Sequence, residues 1–128
     1  MTTSTPNTPG IGAIKVVGIP VNDQDRALEF YSGRLGFTLQ TDAPLPGSEA
    51  RWIMLTSGAG ASIALVKASI DTPAGVETGI RFHTDDADST HAALLSRGVK
   101  VGEVLRWPGV PAMFQVFDGD GNRFEIVE

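Results

Sequence analysis

Residues 16–37 read VVGIPVNDQDRALEFYSGRLGF, and a weaker copy, GIRFHTDDADSTHAALLSRGV, returns at 79–99. Each copy holds a short apolar run, an acidic turn, a helical pattern and a closing glycine near its end. A second anchor, GASIA at 60–64 against GNRFE at 121–125, keeps nearly the same offset. Two copies are too few for a solenoid, which stacks three or more units, so the doubling predicts a domain of two paired modules.

Working outward, Val16, Val17, Ile19 and Val21 supply the β-branched residues of a strand over 13–21. Pro20 has no N–H for a ladder, which puts that end at an edge or at the strand's exit. Asp23 or Asn22 caps a helix running to about Leu35, in which Ala27, Phe30, Tyr31 and Leu35 recur at helical spacing, and Gly36 stops it. Extended runs at 37–41, 51–57 and 62–67 follow. The second module repeats the order: a strand at 80–84, a helix at 87–97 capped by Asp86 and ended by Gly98, and strands at 99–105, 112–117 and 123–127. The expected fold class is therefore α+β, two βαβββ modules at 13–68 and 79–128 joined by a linker at 69–78. Residues 1–12, rich in Thr, Pro, Ser and Gly, read as a flexible tail.

Composition narrows the partners. With 128 residues the chain suits one domain and is short for two independent cores. Lys plus Arg is 10 against Asp plus Glu 15, and a net charge of −5 repels phosphate backbones, so no nucleic acid is expected. No apolar run has the length of a membrane span, so no membrane is expected either. Cysteine is absent, which excludes disulfides, thiolate metal sites and a cysteine nucleophile. The opening MTTSTPNTPG has neither the basic nor the apolar region of a signal peptide, and a cytoplasmic location is expected.

A doubled βαβββ pattern, with R-A-L-x-F-Y-x-x-x-L-G-F in the first copy and D-x-D-G-N-x-x-E-I closing the second, resembles the vicinal oxygen chelate superfamily. Glyoxalase I, bleomycin-resistance proteins and extradiol dioxygenases are among its members. The resemblance implies sheets curled around a cavity with helices outside, and pairing into a homodimer. It also implies four positions for metal ligands, which fall here on Val16, Ala64, Gly79 and Glu125. Only Glu125 carries a donor, whereas a catalytic divalent ion needs about three protein ligands, so no metal and no other cofactor is expected.

Strand alternation then selects the residues that face the cavity. If Gly79 faces it, so do Arg81 and His83; Val16, Gly18 and Pro20 line the first module's wall, and Arg123, Glu125 and Val127 the last strand's. Glu125, His83 and Arg81 are the candidate catalytic groups. In one reading Glu125 is a desolvated carboxylate acting as a general base; in the other it forms an ion pair with Arg81 or Arg123. His83 is equally readable as an ordinary strand histidine, and His91 as a solvent-exposed helix residue. Trp52, Trp107, Met113 and Phe114 are candidates for a wall against a planar aromatic ligand, Trp107 foremost because it lies in a loop. DGDGNRFE lacks the glycine of a calcium loop at its sixth position and reads as a hairpin turn. The expected function is metal-free binding of a small molecule between the modules, as in bleomycin-resistance sequestration. The alternative is a metal-independent lyase or isomerase with Glu125 or His83 as base and Arg81 at the oxyanion, and the third reading is a metal-dependent enzyme with ligands from other positions such as His83.

Overall fold

A computed structural model describes residues 9–128. Of the predicted tail, residues 1–8 lie outside the described residues, and 9–12 are exposed without regular structure. The first sheet contains β1 (Val16–Val21), β2 (Thr38–Pro44), β3 (Arg51–Thr56) and β4 (Ser62–Lys67), in the order β1-β4-β3-β2. The second contains β5 (Glu77–His83), β6 (Lys100–Val101), β7 (Leu105–Trp107), β8 (Val110–Phe117) and β9 (Arg123–Val127), in the order β5-β9-β8-β6 with β7 also on β8. β1 pairs parallel with β4 and β5 pairs parallel with β9, so the two sheets repeat one topology. No helix among the described residues is long and apolar enough to cross a membrane.

Each module's helix starts where an aspartate accepts a free amide. Asp23 caps α1 (Gln24–Leu28) by accepting from the Arg26 N–H, and Asp86 caps α2 (Ala87–Ser96) through the Ser89 N–H. The first helix does not run as a single α-helix to Leu35. It passes into a π-helical segment, Glu29–Arg34, where the Ser32 hydroxyl bonds the Leu28 carbonyl at 2.6 Å and Gly33 adds backbone freedom. Gly36 and Gly98, at φ 80 and 76, close the two helical stretches as the sequence predicts.

Several strand boundaries differ from expectation: β1 starts at Val16 and not at 13, β2 runs on to Pro44, and β8 starts at Val110. β5 begins at Glu77, inside the predicted linker, and the strand expected over 99–105 is broken into β6 and β7. At the break Gly102 lies against Gln115, and beyond it the chain turns through Pro108 and Gly109 into a tight β7–β8 hairpin. Trp107 therefore ends a short strand and does not sit in an open loop.

The core is shared by both modules. Ile19, Ile53, Leu55 and Leu65 of the first sheet and Phe114, Val116 and Phe124 of the second are buried in one cluster. Burying each such side chain contributes roughly 1.5–3 kcal/mol. Tyr31, Phe37, Phe82 and Phe124 form a chain of ring contacts, with successive centroids 6.2, 5.4 and 5.2 Å apart, that runs from the first helix into the second sheet.

Candidate functional site

Alternation along β9 sends Phe124 and Ile126 into the core and leaves Arg123, Glu125 and Val127 on the open face. The register extends this face to Phe117, Gln115 and Met113 on β8 and to Arg81 and His83 on β5. Arg81 lies opposite Glu125 across the ladder, and its Nε is 3.0 Å from Glu125 Oε1. That oxygen is buried and accepts no directed hydrogen bond, so the contact is an ion pair with a guanidinium that is itself 62% exposed. His83 is 72% exposed, with Nε2 3.7 Å from Asp85. Arg81, His83 and Glu125 are thus neighbours on one face, with the first and last joined.

The open face of the first sheet has the opposite chemistry. Gly18, Ala64 and Met54 lie side by side across β1, β4 and β3, and alternation adds Pro20, Val66 and Trp52. Trp52 is 36% exposed and Trp107 52% exposed at the tip of its hairpin in the other sheet. Met113 is half-buried beside Val127. Phe114 is 1% exposed and stacks edge-on against His91 at 5.0 Å, so it is a core residue; its neighbour Met113 faces the other way. The four candidates for an aromatic wall do not share a face within one chain. His91 is not left to solvent either, since its Nε2 also bonds the Gly102 carbonyl at 2.8 Å.

A divalent ion does not fit this donor set. Val16 and Ala64 present only hydrocarbon, and Gly79 has no side chain and sits at φ 74. Glu125, the one donor, is held by Arg81. Among the described residues no three His, Asp or Glu side chains cluster where they could hold a metal.

A crevice of about 840 Å³ lies between the modules, but its lining corrects the expected one: Val17, Phe124 and Ile126 border it, and Val16, Gly18, Pro20, Arg123, Glu125 and Val127 do not, because they lie on the other face of their strands. β1 and β5 are edge strands of separate sheets, and the crevice opens along the gap between them. Val17 and Ile63 form one wall, Ile80, Phe82, Phe124 and Ile126 the other, and Leu35, Phe37 and Leu94 come from the helical side. Arg81 and His83 stand among its lining residues; Trp52, Trp107, Met113 and Phe114 do not. β5 widens the gap by bulging: Glu77 pairs with Arg123 and Arg81 with Glu125, so 78–80 stand against a single residue of β9. Gly79, in the left-handed region, makes that excursion possible.

The opposite end of β1 is closed by a polar clasp that sequence reasoning missed. Asn122 is fully buried; its Oδ1 accepts from the Gly75 and Val76 amides at 2.8 and 3.0 Å, and its Nδ2 donates to the Pro20 carbonyl and to Asp118 Oδ2, both at 2.8 Å. Tyr31 donates to the same Asp118 oxygen at 2.7 Å. Burial, reinforced by that carboxylate, pushes the Tyr31 phenol far above its ordinary value. The D-x-D-G-N pattern was the available signal, but it was legible only as a turn. A smaller depression of about 490 Å³ lies over the clasp, rimmed by Asp23, Arg26, Glu29, Arg34 and Asp120.

Comparison with known proteins places this geometry. Residues 13–126 match the profile of the Glyoxalase/Bleomycin resistance protein/Dioxygenase superfamily. The Bacillus subtilis (strain 168) protein YetH is 32% identical over 124 residues, covering 92% of this chain and 99% of its own. The crystal structure of TnmS3, an antibiotic binding protein from Streptomyces sp. CB03234, superposes with a TM-score of 0.81 at 31% identity, over 92% of this chain and 96% of that one. A superfamily member from Sphaerobacter thermophilus DSM 20745 does so with a TM-score of 0.81 at 31% identity, over 92% and 98%.

Proposed function

The chain belongs to the Glyoxalase/Bleomycin resistance protein/Dioxygenase superfamily, and from that premise we propose that it binds and sequesters a small molecule in the crevice between its modules, without a metal ion. The crevice itself carries the reading: about 840 Å³ of mostly apolar space lies within the usual range of small-molecule pockets. The donor set around Glu125 supports the metal-free part, and the likeness to an antibiotic binding protein supports a sequestering role, with antibiotic resistance as its outcome. The exposed Trp52, Val66, Trp107 and Val110, which lie outside the crevice, support pairing into a homodimer through apolar surface.

Protein purified without chelator is expected to carry metal well below one ion per chain. Its melting temperature is expected not to move with nickel, manganese, zinc or iron(II), because only an ion bound to the native state raises it. A stoichiometric metal with a raised melting temperature would overturn the proposal.

The buried Glu125 Oε1, ion-paired to Arg81 but accepting no directed hydrogen bond, favours one second reading, a metal-independent lyase or isomerase. There Glu125 takes a proton from the carbon beside a carbonyl, and Arg81 balances the charge that develops on oxygen. Glu125→Ala separates the two. Sequestration predicts that binding of a neutral aromatic ligand is nearly unchanged, and proton transfer predicts loss of deuterium exchange into a bound carbonyl compound.

A further inference from the structure

We infer that the crevice selects an uncharged, apolar molecule that needs no hydrogen bond from its walls. This rests on the reading that the crevice is the ligand site, and it adds the chemistry of the ligand. Hydrocarbon from Val17, Phe37, Ile63, Ile80, Phe82 and Leu94 forms most of the surface. The hydroxyls among the lining residues are already engaged with the protein. Ser57 donates to the Ala59 carbonyl at 3.1 Å, Ser62 to Gln40 at 2.7 Å and Thr78 to the Arg123 carbonyl at 2.7 Å. Thr84 and Thr90 share a bond of 2.7 Å, and Thr84 reaches the Asp86 carbonyl at 3.3 Å.

The bulge of β5 is closed in the same way. The Gly79 amide donates to Glu77 and the Ile80 amide to the Thr78 hydroxyl, at 3.2 and 3.1 Å. The polar side chains at the crevice have neighbours as well: Arg81 is paired with Glu125 and also donates to the Gly79 carbonyl, and His83 faces Asp85. An anionic ligand would have to displace Glu125 from Arg81 in a chain of net charge −5. A ligand rich in donors and acceptors would leave water for walls whose polar side chains, Arg81 and His83 apart, are few and already bonded to the protein, which costs affinity. An apolar, uncharged molecule gives up no hydrogen bond to water on entry and fills space that close-packed interiors do not leave empty.

Pyrene, 1-hydroxypyrene and pyrene-1-carboxylate test this, because they share a ring system and differ in one group. Pyrene emission also reports the polarity around the ring. Pyrene is expected to bind with an apolar emission signature, 1-hydroxypyrene no more tightly, and the carboxylate roughly tenfold or more weakly, about 1.4 kcal/mol. Ile80→Phe, which fills the crevice from β5, and Ala61→Trp, which fills it from the β3–β4 turn, are each expected to lower pyrene affinity by roughly tenfold. Two variants from opposite walls keep the test intact if one folds poorly.

Tightest binding of the carboxylate, lost in both variants, would overturn the ligand class and leave the crevice as the site. Binding of all three compounds unaffected by either variant would overturn the crevice reading itself. Binding that weakens as protein concentration rises would assign the crevice to a second copy of the chain, and would overturn the inference too.

Discussion

β1 meets the second module differently at its two ends. At Pro20 and Val21 the junction is polar and closed: Asn122, Asp118 and Tyr31 satisfy one another and five backbone groups, around an Asn122 side chain that is fully buried. At Ile14 and Val17 it is apolar and open, with about 840 Å³ unfilled. The difference separates two tasks. A buried polar group without a partner costs the full desolvation penalty, so the closed end fixes how the modules are placed. Apolar walls tolerate vacancy and exchange of contents, so the open end suits a ligand.

The largest expected effect that would break this contrast is at the clasp. Asn122→Ala leaves the Gly75 and Val76 amides and the Pro20 carbonyl without their partner, and should destabilise by about 3–5 kcal/mol, read from urea unfolding. A loss under about 1 kcal/mol, within the range of an ordinary surface substitution, would mean that water replaces the side chain and the closed end is not dry.

Tyr31→Phe comes next, at about 1.5–3 kcal/mol, because it deletes a bond to a charged acceptor. Its pH dependence sharpens the test. The folded phenol is raised above its unfolded value, so the native state keeps a proton that the unfolded chain releases. The stabilisation is full below about pH 10 and declines as pH rises beyond it. The variant should lack that alkaline decline; equal alkaline slopes would remove Tyr31 from the clasp.

A smaller pair of effects compares the ends along one strand and one face. Ile19→Phe, in a filled site, should cost about 1–3 kcal/mol, whereas Val17→Leu, at the crevice wall, should change stability by about 0.5 kcal/mol or less. Equal costs in thermal unfolding would show that the crevice is as tightly packed as the core.

The helix caps at Asp23 and Asp86 and the stops at Gly36 and Gly98 were legible because each is a local rule: a side chain satisfies, or a backbone angle ends, its own helix. Alternation grouped residues by face for the same reason, but it could not tell which face borders the crevice, which is lined by Val17, Phe124 and Ile126. Period-two alternation brings Arg81, His83 and Glu125 to one surface, and the ladder places Arg81 against Glu125. Local pattern allows Glu125 to be an ion-pair partner or a desolvated base and has no means to choose between them. Phe114 was misjudged because a short aromatic run does not show which neighbour takes the core; only pairing with β9 and packing on His91 decide it.

By itself, then, the sequence determined the doubled βαβββ order, the ends of its helices, the alternation of its strands and the lack of donors at three of four metal-ligand positions. All of these depend on residues close in the chain or on residue type alone. Tertiary structure decided that Asn122 reaches Pro20 across 102 positions, that β5 bulges at 78–80, and that the modules close at one end and part at the other. These are relations between surfaces far apart in sequence, set by which backbone groups remain unpaired and which side chains remain uncovered after each module has folded.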